Sequence, residues 1–570
     1  TYNGAAVTGT FAGGTTWMPN LTYIVADTLT LPSGSTLTIQ PGVIVKLLPG
    51  KGMTLNGQLS ANGIPASDSL PQVPIVFTSV KDDVYGGDTN NDDAASTPAP
   101  NDWGTLNFTS TSINSSFTQS IFRYGGNAAV KVDQTAVAIN QNRFIENQGG
   151  INLTTANQAA RPLAGNYFEN NRSYSINTNF TNHLYIQTDN TFNQVIGNAI
   201  RVGSGTLSQD TTLISGAVYW IDSWTVATGY TLAVPQNVII KMNGGTLRVA
   251  GTLTSVGTAA NPVYITSWKN DSVGGDSNAD GTATVPAGGD WYAIHIQNGT
   301  VNLDYTTVEY GGAGNYSYYG MITQMYCNPS CYYYDAQITI DHSTIQNSSV
   351  SGIYLASGTG IVTVAAIYNS NIQFNAIYGV YNGNAAYPVD ARYNYWGDPS
   401  GPAPRGTGNA TNYRTYTCGT PATTCYDYDY YVLAYPWIGS IPQVSQNSSP
   451  STPWTYWNAD PVNMVFGNYI HLATDLSIPD RGVGFTFQRT YNSNSTYDGP
   501  LGLGWTHSYN ITATDINAST VQIRQPDGRI DAYLANADGT YTPPAGIYDQ
   551  LEKVAGLYKL TLHDQVVYNF

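Results

Sequence analysis

The sequence predicts an all-β fold in which a β-solenoid, built as two duplicated halves, is followed by a β-meander domain. Three observations predict it. Short β-branched runs such as VIVKL and IVFTS lie between Gly, Asn, Pro or Asp residues, as strands lie between turns. Aromatic residues recur at a period in the low twenties. The succession of strands and loops in the first half is repeated in the second half.

The aromatic period predicts stacked coils. Phe122, Phe144, Phe168 and Phe192 follow one another at intervals of 22, 24 and 24 residues, each near an Asn-rich segment. Coils of this length would stack about 4.8 Å apart around a narrow core of Phe, Ile and Val. Asn tolerates the left-handed backbone of corners and can form amide ladders between coils. A β-sandwich, the alternative, predicts strands about 8–12 residues apart and does not explain the longer period.

The two halves match segment by segment and in the same order. TLTIQPGVIVK at 36–46 corresponds to TLAVPQNVIIK at 231–241, and PIVFTS at 74–79 to PVYITS at 262–267. NDWGTLNF at 101–108 corresponds to GDWYAIHI at 289–296, and RYGG at 123–126 to EYGG at 309–312. We predict one solenoid half at 1–210 and another at 211–440, a Pro/Ser-rich linker at 441–459, and the β-meander domain at 460–570.

The composition excludes several classes of protein. Of the 570 residues, 10% are charged and 41% are hydrophobic, and the formal net charge is −16. Binding to a nucleic-acid backbone needs clustered Lys and Arg, so no nucleic-acid partner is expected. No apolar run approaches the ~20 residues of a membrane span. The start, TYNGAAV, has neither an initiator Met nor a leader pattern, which favours a mature chain from which a leader has been removed.

Two similar acidic segments, GGDTNNDD at 86–93 and GGDSNADG at 274–281, predict cation sites. Alternate oxygen side chains on a tightly curled loop point inward, as in D-x-[DN]-x-[DN]-G loops. Hard oxygen ligands without a nearby His or Cys favour Ca²⁺. A solvated Asn/Asp turn is the alternative, but the retention of both copies favours two calcium sites. The predicted ligands are Asp82, Asp83, Asp88, Asn90, Asp92, Asp271, Asp276, Asn278 and Asp280.

The four cysteines predict two local disulfides. Cys327 and Cys331 lie in CNPSC, and Cys418 and Cys425 lie in CGTPATTC. Local pairing is the simplest of three connectivities, and disulfides indicate an oxidising, extracellular location. A four-thiolate zinc site usually has closer CxxC pairs. That site and two pairs of free thiols are the alternatives.

Tyrosines and sequons suggest contact with glycans. Tyr-rich stretches at 316–320, 331–336 and 425–431 surround the cysteine pairs. Exposed Tyr rings would suit stacking on sugars, and a self-packed cluster is the alternative. Asn-x-Ser/Thr sequons, frequent by chance in such a chain, mark candidate glycan attachment sites at Asn20, Asn107, Asn298 and Asn510.

PGVIVK, PIVFTS and NYWGDPSGP at 394–402 resemble segments of secreted bacterial and archaeal proteins with a right-handed, pectate-lyase-like parallel β-helix. The resemblance implies that fold and a surface or secreted location. It implies no particular activity, because the fold carries lyases, hydrolases and adhesins.

Candidate catalytic groups are scattered in the sequence. A β-helix lyase or hydrolase needs a carboxylate cluster, or a Lys or Arg base beside calcium, on adjacent coils. The acids of the strand segments stand singly, at Glu146, Glu169, Asp304 and Glu309. Asp341, His342 and Ser343 are contiguous, so on a strand their side chains would alternate faces and form no relay. We therefore predict a corner there and no catalytic residue.

The C-terminal segment resembles the opening domain of RHS-repeat (YD-repeat) proteins. The motifs are DPVN at 460–463, GNY at 467–469, DLSIP at 475–479, RTYNS at 489–493 and GLGWTH at 502–507. Phe466 and the HDQ at 563–565 depart from the usual pattern of that family. The resemblance implies a secreted or cell-surface β-shell, often adhesive and sometimes carrying a toxin.

These observations predict a non-enzymatic, extracellular or cell-surface protein with a structural or adhesive role. Solenoid ends and an edge strand near VVYNF would allow self-association into a fibre or contact with other surface proteins. Two alternatives stay open. One is a β-helix polysaccharide lyase or hydrolase, which turnover of pectate or alginate would establish. The other is the N-terminal part of an RHS toxin-delivery protein, which YD repeats after Phe570 would support.

Overall fold

The computed structural model confirms the all-β fold, and the N-terminal unit is a parallel β-helix. It describes the whole chain except residues 1–3, 12, 68–70, 194–196, 198, 314–318, 328–329, 359, 419–422, 436, 438–461, 464–467, 479–484, 494, 496, 518–519, 527–528, 537–538, 545–546, 548, 555 and 563–565. The chain divides into two compact units, one of residues 1–397 with 402–436, and the other of 398–401 with 437–570. The predicted linker at 441–459 lies outside the described residues.

Three parallel sheets form the first half of the β-helix. Sheet 1 contains Ala5–Val7, Thr22–Val25, Ile44–Leu47, Ile75–Ser79, Ser120–Arg123, Arg143–Ile145, Tyr167–Glu169 and Thr191–Asn193. Sheet 2 begins with Leu29–Leu31, Met53–Leu55, Leu106–Phe108, Val130–Asp133, Ile151–Thr155, Ile176–Thr178 and Ile200–Val202. Sheet 3 contains Gly14–Trp17, Thr36–Ile39, Gln58–Asn62, Ser116–Thr118 and Ala138–Asn140.

Sheet 2 runs on into the second half, where two new sheets join it. It continues with Val218–Ile221, Ile239–Met242, Val263–Ser267, Thr306–Glu309, Thr344–Gln346 and Asn371–Gln373. Sheet 4 contains Gly205–Leu207, Trp224–Val226, Leu247–Val249, Ile294–Ile296, Gly320–Thr323, Ser351–Leu355 and Val380–Asn382. Sheet 5 contains Thr211–Thr212, Thr231–Pro235, Thr252–Val256, Gly299–Asp304, Ala336–Asp341, Thr363–Tyr368, Val389–Asp390 and Val432–Leu433.

The predicted aromatic period is a column of stacked rings. Successive strands of sheet 1 pair in register, with Phe122 beside Phe144 and Phe144 beside Phe168. Their ring centroids lie 4.8 and 5.2 Å apart, and Phe192 continues the column at 5.2 Å. Each repeat therefore places its ring above the previous one, which confirms the predicted coil.

Asn ladders run parallel to this column at the corners. The side-chain amide of Asn142 donates to Asn166 Oδ1 at 3.1 Å, and that of Asn166 donates to Asn190 Oδ1 at 2.9 Å. The left-handed backbone belongs to the preceding residue, for example Gln141 with φ +58°. Buried corner amides thus satisfy one another from coil to coil.

The two halves are offset by one face of the β-helix. Strand Ile44–Leu47 lies in sheet 1, but its counterpart Ile239–Met242 lies in sheet 2. Met53–Leu55 lies in sheet 2, and its counterpart Leu247–Val249 lies in sheet 4. Because three sheets enclose the core, the duplicated halves are rotated by about a third of a turn.

Helix is scarce, as predicted. The structure has an α-helix at Phe180–His183 and a 3₁₀ turn at Gln158–Ala160, both close to the level where sheets 1 and 3 end. In the part of the chain that the structure describes, no helix has the length and apolar character needed to cross a bilayer.

Two antiparallel hairpins leave the β-helix, Met325–Cys327 with Cys331–Tyr333 and Arg414–Cys418 with Thr423–Asp427. They carry the two predicted cysteine pairs.

The C-terminal unit is antiparallel, as expected for the predicted β-meander. One sheet contains Val462–Asn463, Asn468–Ile478, Phe485–Asn492 and Trp505–His507, and a short pair joins Asp498–Gly499 to Gly502–Leu503. A seven-stranded meander contains Thr512–Asn517, Thr520–Arg524, Ile530–Ala535, Thr540–Thr542, Gln550–Val554, Leu557–Thr561 and the edge strand Val567–Asn569. Its core includes Val521, Ile523, Tyr533, Leu551 and Leu560.

Candidate metal centres

Each half of the β-helix carries one long acidic excursion at the same place in its coil. The first acidic loop, residues 80–105, connects Ile75–Ser79 to Leu106–Phe108. The second acidic loop, residues 268–293, connects Val263–Ser267 to Ile294–Ile296. Residues of the second loop lie 188 positions after their counterparts, as Asp271 does after Asp83.

Both loops fold back over the outer surface of the sheet that they leave. Lys46 and Lys241 occupy outward positions on their strands, yet both are fully buried. Their Nζ atoms donate to the carbonyl oxygens of Gly87 and Gly275, each at 2.5 Å. Burial lowers the pKa of Lys46, and it lowers that of Lys241 to about 8 although Asp271 and Asp276 oppose the shift.

Glycine is required where the loops press on the sheet. Gly274 has φ +69°, and a Cβ there would lie 2.9 Å from Val218 Cγ2. Gly86 has φ +76°, and its Cβ would lie 2.8 Å from Thr22 Oγ1. The loops therefore reach back over strands of earlier coils.

One hydrogen-bond scaffold holds each acidic segment. In the first loop, the Asn90 amide donates to Asp92 Oδ2 at 2.8 Å, and Asp88 accepts from the backbone N–H groups of Asp92 and Asp93. In the second loop, the Asn278 amide donates to Asp280 Oδ2 at 2.8 Å, and Asp276 accepts from the N–H groups of Asp280 and Gly281.

The remaining side-chain oxygens converge. Carboxylate oxygens of Asp83, Asp88 and Asp92 lie within 4.8 Å of one another, and so do those of Asp271, Asp276 and Asp280. In both loops, three corresponding oxygens are buried from solvent and accept no hydrogen bond; they are Asp83 Oδ1, Asn90 Oδ1, Asp92 Oδ1, Asp271 Oδ1, Asn278 Oδ1 and Asp280 Oδ1. Loss of hydration and the charge of the neighbouring Asp88 raise the pKa of Asp83, and the same causes raise that of Asp271 beside Asp276. Each group of oxygens can hold a metal ion.

Asp82, predicted as a ligand, is not one of the converging carboxylates and both of its oxygens have other partners, so its assignment to the metal is corrected. Its Oδ2 accepts from Thr78 Oγ1 at 2.5 Å and lies 3.5 Å from Arg123 Nη1, while its Oδ1 accepts from the backbone of Val84. A carboxylate engaged in this way supports the loop base. In the second half, Asn270 takes its place and donates to Glu309 Oε1.

Two acids that sequence reasoning missed close the loops. Asp102 accepts from Ser79 Oγ at 2.9 Å and from Lys81 Nζ at 2.9 Å. Asp290 accepts from Ser267 and Lys269 in the same way, at 2.6 and 2.7 Å. The repeated S-x-K and downstream D-W pairs were the available signal.

A third carboxylate group lies at a corner of sheet 5. His342, at φ +43°, places Nδ1 3.4 Å from Asp304 Oδ1 and 3.3 Å from Asp341 Oδ1. Burial opposes its protonation, but the hydrogen bonds to both acids prevail and raise the pKa of His342 to about 9. Ser343 Oγ donates to the Asp341 carbonyl oxygen. The predicted corner is correct. The expected alternation of faces is wrong for Asp341 and His342, which are in contact, whereas Ser343 Oγ bonds to backbone groups, so the described contacts contain no Asp–His–Ser relay.

The Tyr-rich hairpin covers part of sheet 4. Tyr334 packs edge-on against buried His295 with a centroid distance of 5.6 Å, and Tyr333 packs on the cluster of Met325 and Ala356. Tyr332 is exposed. The described tyrosines are therefore partly self-packed and partly available.

The predicted cysteine pairs are described in part. Cys331 is disulfide-bonded, and its backbone pairs with that of Cys327 across the hairpin. The side chains of Cys327, Cys418 and Cys425 lie outside the described residues, so the connectivity stays a prediction.

The sequon residues differ in accessibility. Asn20 and Asn298 are exposed, whereas Asn107 is partly buried in sheet 2. The Asn510 amide donates to Tyr497 Oη and Thr506 Oγ1. Glycan attachment at all four stays a prediction.

Comparison with known proteins gives relatives for part of the chain. A family described as domain of unknown function DUF6531, which is associated with RHS-type proteins, matches residues 459–533. This match supports the RHS-type assignment of the C-terminal region.

Three relatives are named as nucleases. The chain is 34% identical over 115 residues to the tRNA3(Ser)-specific nuclease WapA of Bacillus spizizenii. It is 33% identical over the same length to the tRNA nuclease WapA of Bacillus subtilis strain 168 and to the tRNA(Glu)-specific nuclease WapA of B. subtilis subsp. natto. Each match covers 19% of this chain and 5% of the relative, so the chain spans about a twentieth of their length. These names contradict the prediction of a non-enzymatic protein, and they favour the RHS delivery alternative over the adhesin.

Proposed function

We propose that the chain is the β-helix-bearing part of an RHS-type protein that carries a nuclease at the cell surface. The observation that carries the proposal is the DUF6531 match at 459–533, which follows a parallel β-helix along the chain. The similarity to three WapA nucleases supports the same class of protein. In this role, the β-helix holds and presents the rest of the protein.

The charge of the chain supports a division of labour within such a protein. With 21 Lys and Arg against 37 Asp and Glu, these 570 residues would repel a tRNA backbone. The surface that contacts tRNA is therefore assigned to another part of the protein. The disulfide-bonded Cys331 supports an oxidising, extracellular location for this part.

The fold supports a right-handed, pectate-lyase-like helix for the presenting part. Parallel strands joined by crossover connections are right-handed in about 98% of proteins. Arg123, one of the basic residues beside the first acidic loop, gives a lyase activity little support, because it is held in ion pairs with Asp82 and Glu146. Burial lowers the pKa of Arg123, but hydrogen bonding to Glu146 together with the neighbouring negative charges, including that of Asp82, raises it above its ordinary value, so Arg123 is unsuited to act as a base.

The test uses the protein from its own cells. Antibodies against the β-helix would isolate the polypeptide, whose length is measured by mass spectrometry and whose activity is measured on total tRNA. We expect a polypeptide that extends beyond these 570 residues, contains YD repeats and cleaves tRNA. Protease treatment of intact cells should remove the β-helix epitope.

A matched preparation from cells that lack the gene is the control for contaminating nucleases. A polypeptide that ends with these 570 residues and leaves tRNA intact would contradict the proposal. Protection of the epitope in intact cells, with loss only after lysis, would contradict the surface location.

A further inference from the structure

The two acidic loops share an electrostatic arrangement that the proposed nuclease delivery does not explain. Each loop gathers three carboxylates within 4.8 Å and leaves three oxygens buried without a hydrogen-bond donor. A buried polar atom without a partner destabilises the folded protein, and a charged one does so more strongly. Two copies of such a defect, at the same three positions of each loop, call for a ligand.

The direction of the hydrogen bonds identifies the kind of ligand. The Asn90 amide nitrogen and Asp92 Oδ2 are used inside the scaffold, with Ser96 Oγ donating to the same Oδ2. The second loop repeats this with Asn278, Asp280 and Thr284. These amide and hydroxyl donors are used by the scaffold, and the unpartnered oxygens of the Asp and Asn side chains in both loops are acceptors, which suits a cation.

The oxygen donors identify the class of cation. The described side chains of both centres offer carboxylate and amide oxygens, which are hard ligands that suit Ca²⁺, Mg²⁺ or Mn²⁺. Mg²⁺ demands near-ideal octahedral geometry and keeps several waters, whereas Ca²⁺ accepts crowded, irregular sets of six to eight oxygens. Several protein oxygens crowded on one short loop therefore favour Ca²⁺.

We propose that each acidic loop binds one Ca²⁺ ion, through Asp83, Asp88, Asn90 and Asp92 in the first loop and Asp271, Asp276, Asn278 and Asp280 in the second. The ion joins the base of the loop, at Asp83 or Asp271, to its tip. It thereby holds the loop down over the outer strands and keeps Lys46 and Lys241 buried. Calcium acts as a brace on the β-helix, and this role is independent of the nuclease.

The variant Asp83→Asn tests the proposal, because removal of this carboxylate should stabilise the calcium-free protein but reduce the stabilisation that calcium gives. In the described contacts the Asp83 carboxylate accepts no hydrogen bond from the loop scaffold, so the variant should fold. In EDTA it should melt at a higher temperature than the wild type, because one carboxylate of a repelling group is removed. In CaCl₂ it should gain less thermal stability than the wild type, because one ligand is lost.

Calorimetric titration with CaCl₂ should show two ions per wild-type chain. Asp83→Asn should weaken one of the two sites about tenfold or more, and Asp83→Asn/Asp271→Asn should weaken both. Asp93→Asn is the matched control, since it changes an exposed carboxylate of the same loop outside the converging group and should keep both sites.

The outcomes are distinct. The proposal would be overturned if the wild type showed neither a heat of calcium binding nor a calcium-dependent change in melting temperature. Equal changes in calcium affinity and melting temperature for Asp83→Asn and Asp93→Asn would also overturn it. An equal response to MgCl₂ would overturn the assignment to calcium. None of these readouts depends on tRNA cleavage, so failure of the nuclease proposal leaves this test intact.

Discussion

Asp82 and Arg123 form a buried ion pair in the first half of the β-helix. The corresponding positions of the second half hold residues of different charge. Arg123 also donates to Glu146 at 2.9 Å. In the second half, Glu309 accepts from Asn270 and from Gln346. Gln346 pairs with Glu309 in the strand register as Ile145 pairs with Arg123, so the corner residue Glu146 corresponds to Asn347. The charged group of Asp82, Arg123 and Glu146 is thus replaced in the second half by Asn270, Glu309 and Gln346, with Gln346 one position earlier than Glu146.

This replacement predicts strong coupling between the positions. Arg123→Glu alone would place a third carboxylate beside Asp82 and Glu146, and should destabilise the β-helix by about 3 kcal/mol or more. The quadruple variant Asp82→Asn/Arg123→Glu/Ile145→Gln/Glu146→Asn, which copies the second-half residues at the equivalent positions, should recover most of that loss. Urea denaturation of the single and quadruple variants measures the difference. Equal losses in both would show that the second-half arrangement cannot be transferred.

His342 predicts a specific dependence of stability on pH. Its folded-state pKa of about 9 exceeds the ordinary value of 6.5, so the protonated ring is bound more tightly in the folded protein. This contribution is complete below about pH 6.5 and is lost as the pH rises through about 9.

Lys241 titrates with opposite sign in the alkaline part of this range, so the comparison must isolate His342. The difference in melting temperature between the wild type and His342→Gln should be largest near pH 6 and should shrink above pH 9. A constant difference across the range would contradict the role of the charge. NMR titration of the ring gives the pKa directly.

At the scale of elements, the coil is held by its aromatic column. Phe144 is fully buried between Phe122 and Phe168 in adjacent strands. Phe144→Ala should destabilise the β-helix by about 3–5 kcal/mol, because a cavity opens inside a stack that cannot collapse along its axis. Phe374, which is 67% exposed, is the control, and Phe374→Ala should change stability by less than about 0.5 kcal/mol. Similar denaturation midpoints for the two variants would contradict the stacking role.

The coil could be predicted because a buried aromatic side chain recurs once in each coil. Phe122, Phe144 and Phe168 recur at one position per coil, and register in a parallel stack follows from that spacing alone. The acidic segments could be located for the same reason, since both copies preserve alternate oxygens. Asp82 was misassigned because its carboxylate oxygens contact Thr78, the Val84 backbone and Arg123, and Arg123 comes from a later coil. Burial of Lys46 under a loop also depends on contacts that no local pattern records.

At the scale of the β-helix as a whole, the two acidic loops should act independently. Leu106–Phe108 and Val263–Ser267, the sheet 2 strands next to the two loops, are seven strands apart, or about 34 Å at the usual strand spacing. Changes so far apart usually add. The calcium-dependent rise in melting temperature lost in Asp83→Asn and that lost in Asp271→Asn should therefore sum to the loss in the double variant. A clear departure from additivity would reveal a conformational link along the β-helix.

The one-face offset between the halves affects what a neighbour can touch. Although the β-helix contains two similar halves, its two acidic loops start from different faces, since the first leaves sheet 1 and the second leaves sheet 2. A flat binding partner on one face of the β-helix would therefore contact a single acidic loop. Two antibody fragments, each specific for one loop, should consequently occupy the same molecule together, without competing for space.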